Sequence, residues 1–472
     1  MHSGLIQGKM GTVYDTQSQD GGLAAISRLA KLNEPSQADT PLLQMAALNY
    51  WRQQRSSLLA APFEDAQLVR EKQFAQLRLL VDYAFQYIPF YRSLYGNVGY
   101  ELGDLQTWRD FEFLPVINKS MLAAQPEAMR LAPGMLRESS FCSRSSGSSG
   151  IPFTTWLDQQ DVIRDFAEQI RFLHFASDGR LLPQDWIYTL HHGGFWYSSV
   201  LSQYRVFRLM DIKATDVPDL ARHLQWMRPA LLTTLPSYLT YLAELGPLEK
   251  YGIRALTTNS EMSSPSERHR FCRIFGVPVL DEYSSEEIGL MATECLHGSY
   301  HVVEDGVYLE ILDPDSQGLG RVVVSDLGNY LMPLIRYDHG DLASFDSTPC
   351  SCGQRFRRLS TLHGRNDDVF QTSNGQYIPS ASLLAICDDV LTDESSGIHE
   401  YRLIQQGPAH VELQYTGSIN NANQAKLISD FKQRLEALFG YRIELRTKYQ
   451  QKLPANASFK RRCLLRIWSP SL

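Results

Sequence analysis

The chain has 472 residues, 43% hydrophobic and 21% charged, enough for about three units of roughly 150 residues with well-filled cores. That excludes a small disulfide-dependent scaffold, and the odd, scattered set of seven cysteines points to a reducing compartment, hence the cytoplasm. A net charge of −7 gives no general attraction for nucleic acid, and no apolar run approaches the ~18 residues that a membrane span requires.

Residues 1–40, rich in Gln, Ser, Gly and Asp, lack a hydrophobic period and the basic, apolar, small-residue order of a secretory leader. They are expected to form a flexible arm. From Phe63 to Tyr95 the pattern turns helical until Ile88-Pro89 interrupts it, and a second helical pattern follows Asp161, with Ile163, Phe166, Ile170 and Leu173 on one side. Short apolar runs then alternate with helical ones: strands at 230–235, 253–258 and 277–280, helices at 238–245 and 265–275, the latter with Ser264 as its cap. This alternation predicts layered α/β structure with parallel strands. After Gly298, the runs 302–303, 307–312 and 322–324 are separated by Asp and Gly turns, which predicts a smaller antiparallel sheet. A polar, Gly-punctuated stretch at 362–368 precedes a last unit with both strand and helix patterns. The expected organisation is an arm (1–40), a large domain (41–364) and a small mobile α+β domain (365–472).

Five motifs in order carry chemistry. The run Ser143-Arg144-Ser145-Ser146-Gly147-Ser148-Ser149-Gly150-Ile151-Pro152 has the composition of a linker, yet it lies inside a folded stretch, and small residues let backbone N–H groups turn around an anion. Asp281-Glu282-Tyr283-Ser284-Ser285-Glu286-Glu287-Ile288-Gly289 follows a predicted strand and sets carboxylates beside an aromatic ring. Arg336-Tyr337-Asp338-His339-Gly340-Asp341, then Gly364-Arg365-Asn366-Asp367-Asp368, and finally Lys460 in a Ser-Phe-Lys-Arg-Arg run complete the set. Singly, each reads as a turn or a solvated charge; as an ordered set they do not.

Together they resemble the adenylate-forming superfamily of acyl-CoA synthetases, and within it the phenylacetate–CoA ligase family, from about residue 45 to the C-terminus. Residues 145–152 resemble that family's T-S-G-T/S-T-G-K-P loop, Tyr283 to Gly289 its Tyr…Glu…Gly motif, Leu334 to Leu342 its P-L-I-R-Y-R-T-G-D-L, Gly364 to Asp368 its G-R-x-D-D hinge, and Ile88 to Arg92 its V-P-F-Y-R. The resemblance implies ATP-dependent activation of a carboxylic acid to acyl-AMP, then transfer to coenzyme A. It implies that Ser145, Ser146, Gly147, Ser148, Ser149 and Gly150 cradle phosphates and that Glu286 holds Mg²⁺. Tyr283, with Asp281, Glu282 and Ser284 around it, would face adenine, and Ser260-Glu261 would lie along the base edge. Asp341 would take the ribose hydroxyls, Arg365 would sit by the α-phosphate, and Lys460 would reach the reacting carboxylate. Asp367 would be the hinge about which the small domain turns, bringing the face that carries Gly375 to the thiol. The chain departs from the family pattern at Ile151 (Lys), Ser284 (Gly), His339 (Thr) and Ser458-Phe459 (Gly). These departures leave the acceptor open between coenzyme A, a carrier-protein thiol and an amine, and a nucleotide-binding protein without catalysis is a third reading.

Cys350-Ser351-Cys352-Gly353 is a tight thiol pair on a turn, and Cys295 and His301 flank a loop fifty residues earlier. Three Cys and one His suit a structural zinc site, with His297 as an alternative ligand, and four reduced side chains without metal as the plain alternative. His191-His192-Gly193-Gly194-Phe195-Trp196-Tyr197 follows a predicted strand and suits the pocket of a flat, aromatic or aryl-acetic acid, with Phe141 and Met262 as further lining candidates.

Overall fold

The computed structural model describes residues 41–134, 140–144, 153–191, 196–200, 203–210, 212–365, 369–378, 380–391, 396–417, 421–451, 453 and 463–468. The expected arm lies outside the described residues. Helix α1 (Pro41–Ala60) comes first, and sequence periodicity had not singled it out. The helical run that follows is two helices. In α2 (Ala66–Tyr87) the Asp65 carboxylate caps the start by accepting from Gln67 N–H, and Leu77, Leu80, Val81 and Ala84 form one buried stripe. Ile88 is extended because a residue before proline avoids the helical region, and Pro89 then opens α3 (Pro89–Gly96) at a position where its missing N–H costs nothing. Tyr91 on α3 inserts its hydroxyl between the Pro333 carbonyl, to which it donates at 2.9 Å, and the Ile335 N–H, from which it accepts at 3.0 Å.

Strand β1 (Ile117–Asn118) is followed by the antiparallel hairpin of β2 (Phe141–Arg144) and β3 (Thr154–Leu157), with Arg144 opposite Thr154. The strands on either side of the Ser/Gly run are thus paired, while residues 145–152 lie outside the described residues. Helix α4 (Gln159–Ala176) follows, opened by a reciprocal cap between Asp158 and Asp161.

The parallel layer holds β4 (Trp186–His191), β5 (Trp196–Val200), β6 (Gln203–Met210), helix α5 (Val217–Met227), β7 (Leu231–Thr234), β8 (Ala255–Thr258), helix α6 (Pro265–Phe275) and β9 (Val279–Ser285). Strands β6, β4, β7, β8 and β9 are parallel neighbours, with β5 antiparallel at the edge. Successive side chains on a strand point to opposite faces, so Tyr188, Leu232 and Leu256 join one apolar core while Ile187, Leu231 and Ala255 join another beneath α1 and α4. Both faces are covered, which is why these strands read as unbroken apolar runs. Residues 238–245, expected as one helix, form only one α turn at Leu239–Leu242 between two tighter turns; Pro236 and the left-handed Gly246 bracket it too closely for more.

The antiparallel strands are β10 (Gly289–Glu294), β11 (Tyr300–Val302), β12 (Val307–Leu312), β13 (Gly320–Asp326), β14 (Tyr337–Asp346) and β15 (Arg358–Arg365). They are continuous with the parallel layer, in the order β12-β13-β14-β15-β11-β10-β9-β8-β7-β4-β6-β5, with β1 beside β14. The link is β9 itself: its first residues pair with β8 and its last with β10.

Beyond residue 369, α7 (Ser380–Leu391), β16 (Ile398–Gly407), β17 (His410–Gly417), α8 (Asn421–Phe439), β18 (Glu444–Tyr449) and β19 (Leu464–Arg466) form a separate four-stranded sheet, ordered β18-β17-β16-β19, with its own core of Phe370, Leu383, Leu403, Leu413 and Phe431. No described helix is long and apolar enough to cross a membrane.

Candidate functional site

The change of partner along β9 creates the site. A parallel sheet binds ligands beyond the carboxyl ends of its strands, where chains diverge, and Asp281-Glu282-Tyr283 occupy that end of β9. Tyr283 is buried and donates its hydroxyl to Asp341 Oδ2 at 2.7 Å, while His339 Nδ1 meets the same oxygen at 2.6 Å. The His339 ring stands edge-on to Tyr283, 5.8 Å between centroids. Asp341 lies opposite Arg365 in the β14–β15 ladder, so three of the sequence motifs converge through strand register.

Asp281 and Glu282 are occupied by protein donors. Asp281 accepts from Thr258 Oγ1 and, at 2.6 Å, from Tyr300 OH. Its own N–H donates to Glu294 Oε2 at 2.9 Å, and Arg268 pairs with that Glu294. Burial pushes the Asp281 carboxyl up to about 7, against the opposing pull of Arg268 and its donors. Glu282 accepts from Gln169 (2.9 Å) and Ser284 Oγ (3.1 Å), and burial raises it as well.

Glu286 is exposed at the β9–β10 turn, and its carbonyl accepts from Thr155 Oγ1 on β3 at 3.1 Å, which ties the turn to the hairpin of the Ser/Gly run. The neighbouring Glu287, which sequence reasoning passed over, is buried with Lys119 Nζ 3.3 Å away. Two adjacent Glu and an upstream Lys were the available signal, but only the fold pairs them.

At the end of β8, Ser260 takes a left-handed conformation (φ 66°), and Glu261 turns inward to accept from Ser237 N–H (2.8 Å) and Oγ (3.1 Å). His191 closes β4, and its carbonyl accepts from Tyr238 OH at 3.2 Å. Phe141 packs with Leu43, Ala47 and Ile163, and Met262 against the C-terminal core. Gly375 sits in a tight turn at φ 82°, its N–H donating to Thr372 O at 3.0 Å. Ser145, Ser146, Gly147, Ser148, Ser149, Gly150, His192, Gly193, Phe195, Asp367 and Lys460 lie outside the described residues, and Arg365 is described by its backbone alone.

The four-residue cluster assembles. One ligand atom each from Cys295, His301, Cys350 and Cys352 lie within 4.8 Å of one another. Cys295 Sγ is 3.7 Å from Cys350 Sγ, and Cys352 Sγ is 3.3 Å from His301 Nε2. Two turns present the thiols: Gly298 N–H donates to Cys295 O, and Gly353 N–H to Cys350 O. Burial pushes the Cys295 thiol up and the Cys352 thiol to about 12. His301 Nδ1 lies 3.1 Å from the Phe356 carbonyl, and donation there leaves Nε2 as a lone pair facing the thiols. His297 instead contacts Ser351 Oγ at 3.0 Å and stands outside the group.

No family model matches the chain. Curated relatives do: the phenylacetate–coenzyme A ligase of Thermus thermophilus is 28% identical over 342 residues, 67% of this chain and 76% of that one. The enzyme of the same name from Pseudomonas putida is 25% identical over 397 residues, 78% and 88% of the two chains. Among solved structures, 2-hydroxyisobutyryl-CoA ligase in its postadenylation state with R3-HIB-AMP superposes with a TM-score of 0.70 at 20% identity, covering 85% of this chain and 90% of that one. The same ligase in its thioesterification state with 2-HIB-AMP and CoA gives 0.56, also at 20% identity, covering 82% and 87%. The chain resembles phenylacetate–coenzyme A ligases over most of its length and has the fold of the adenylate-forming acyl-CoA ligases.

Proposed function

We propose that the protein is an AMP-forming acid–thiol ligase: a carboxylate oxygen attacks the α-phosphorus of ATP, pyrophosphate leaves, and the thiol of coenzyme A then displaces AMP from the acyl-adenylate. The observation that carries this is the meeting of Tyr283, His339 and Asp341 at the divergence of β9, with Arg365 across the ladder, in a chain similar to acyl-CoA ligases along two thirds of its length.

Attack of one anion on another demands charge neutralisation and fixed geometry. Residues 145–150 cradle the leaving phosphates with backbone N–H groups, Tyr283 flanks the adenine, and Ser260-Glu261 follow its edge. Asp341, an acceptor-only group, takes the ribose hydroxyls. Arg365 and Lys460 place positive charge at the α-phosphate and the reacting carboxylate. Glu286, exposed at the β9–β10 turn, would hold Mg²⁺, which when bound neutralises phosphate oxygens. The segment 365–472 turns about Asp367 between the two half-reactions, bringing the Gly375 face to the thiol. His191 to Phe195 and the glycines between them shape an acid pocket suited to an aromatic or aryl-acetic acid. A cytoplasmic location is supported by seven free cysteines.

The Cys/His cluster fits zinc. Tetrahedral ligands at Zn–S ~2.3 Å and Zn–N ~2.0 Å set S···S at about 3.8 Å and S···N at about 3.5 Å. The 3.7 and 3.3 Å separations are near those values. The ion would pin the β10–β11 turn to the β14–β15 loop, a structural role.

ATP–pyrophosphate exchange across aryl, aryl-acetic, fatty and amino acids tests the reading, followed by AMP release with and without coenzyme A. Exchange with an aromatic acid and coenzyme A-stimulated AMP release are expected. Exchange without a coenzyme A effect would move the acceptor to an amine or a carrier-protein thiol, and absence of exchange with every acid would overturn the assignment.

A further inference from the structure

The C-terminal sheet meets the large domain through polar contacts on α7: Ser380 N–H donates to His363 Nδ1 on β15 at 2.8 Å, and a second contact lies at α6. Asp388 on α7 reaches across to the N-terminus of α6, where its Oδ2 accepts from Ser264 Oγ and, at 3.2 Å, from Ser266 Oγ. Ser264 uses its hydroxyl twice, because the same oxygen caps α6 by accepting from Glu267 N–H at 2.9 Å. Ser264 is 1% exposed, Asp388 and Ser266 are half-buried, and Tyr401 OH approaches the other Asp388 oxygen at 3.4 Å. A carboxylate facing a helix N-terminus through its capping hydroxyl adds a favourable charge–dipole interaction to charge-assisted hydrogen bonds. Met262, two residues before the cap, packs into the C-terminal core. The seat thus begins one residue beyond Ser260-Glu261, at the end of β8 where the nucleotide base is placed.

We propose that Asp388 is a positioning residue that locks the C-terminal unit onto the cap of α6 in the adenylation-side arrangement, and that release of this lock is a controlled step between the two half-reactions. The arrangement accords with the superposition scores of one ligase fold in two named states, 0.70 in postadenylation and 0.56 in thioesterification. The inference rests on the functional reading above. Turning the unit toward the thiol-accepting arrangement would separate α7 from α6 and leave Ser264 still capping its own helix, so the N-terminus of α6 stays satisfied when the lock opens. The lock also lies one short segment from the base-edge residues, so nucleotide seating and unit seating share the 260–266 stretch.

The test is Asp388→Ala, with Asp388→Asn and Ser266→Ala beside it. Alanine is a strong helix former, so α7 is retained, and circular dichroism checks this. Three measurements are made: pyrophosphate exchange, thioester formation from supplied acyl-adenylate, and small-angle scattering. Losing a charge-assisted pair predicts that Asp388→Ala lowers exchange about tenfold. Thioester formation from the adenylate is undiminished, and the radius of gyration rises. The Asn and Ser266→Ala variants fall between it and the parent. A uniform loss in both half-reactions, or no change in either with an unchanged scattering profile, overturns the proposal. A parent protein that shows no exchange while Asp388→Ala still expands would overturn the functional reading and leave the lock standing.

Discussion

The parallel and antiparallel halves of the large sheet are held together by different physics. Between β6 and β9 the strands are buried on both faces by two apolar cores, and their polar contacts are few, such as Thr233 with Thr257 and Tyr188 with His223. From β9 to β12 the geometry depends on specific buried charges. Arg336 pairs with Glu310 and also donates to the Glu112 and Leu114 carbonyls, Arg268 pairs with Glu294, and the Cys/His group closes the end of β10. Area-based stabilisation is spread over many side chains, whereas a buried ion pair fails as a unit when one partner goes. The half that places the proposed nucleotide site is thus the more brittle one.

This contrast can be broken experimentally. Arg336→Met should cost about 3–5 kcal/mol in urea unfolding because Glu310 is left buried without its partner. Leu232→Ala, in the apolar core of the parallel half, should cost about 2–4 kcal/mol. The reverse order would dissolve the distinction. Cys350→Ser should bring metal content per chain from near one to near zero and lower the melting temperature, with a chelator reproducing the shift in the parent protein. A parent purified without metal would remove zinc from this half altogether. Tyr283→Phe deletes one hydrogen bond to Asp341, and the ATP concentration for half-maximal exchange should rise up to about tenfold. A pH profile sharpens the picture from the other side, since α4, packed on the parallel layer, carries its own buried acids. Burial raises Asp161 and Glu168 to about 8, from 3.8 and 4.5. The native state retains protons that the unfolded chain releases, so stability should fall as pH rises from about 4 to about 8. Asp161→Asn should flatten part of that slope in melts recorded across the range.

Local signals were legible where neighbours in sequence decide. Helix α6 was readable end to end: Ser264 caps it, Pro265 starts it, and Gly276 ends it at φ 69°. The alternation of strands and helices announced the parallel layer, and the motifs around Tyr283 and Asp341 are the ones the fold brings together. What stayed hidden depended on partners far along the chain. Two sheets were expected and one continuous sheet is found, because strand pairing along β9 changes halfway and period-2 pattern records burial, not partners. The same limit concealed Glu287, whose environment comes from Lys119, and sent Phe141 to the α1 side.

The Tyr91 hydroxyl and its carbonyl acceptor at Pro333 are separated by 242 positions in the chain. At ribosomal rates of about 5–20 residues per second, the apolar stripe of α2 and α3 emerges roughly ten to fifty seconds before the segment that covers it exists. During synthesis those N-terminal helices are a waiting surface, and the growing chain has an interval in which holdase chaperones, or its own misassociation, compete for it.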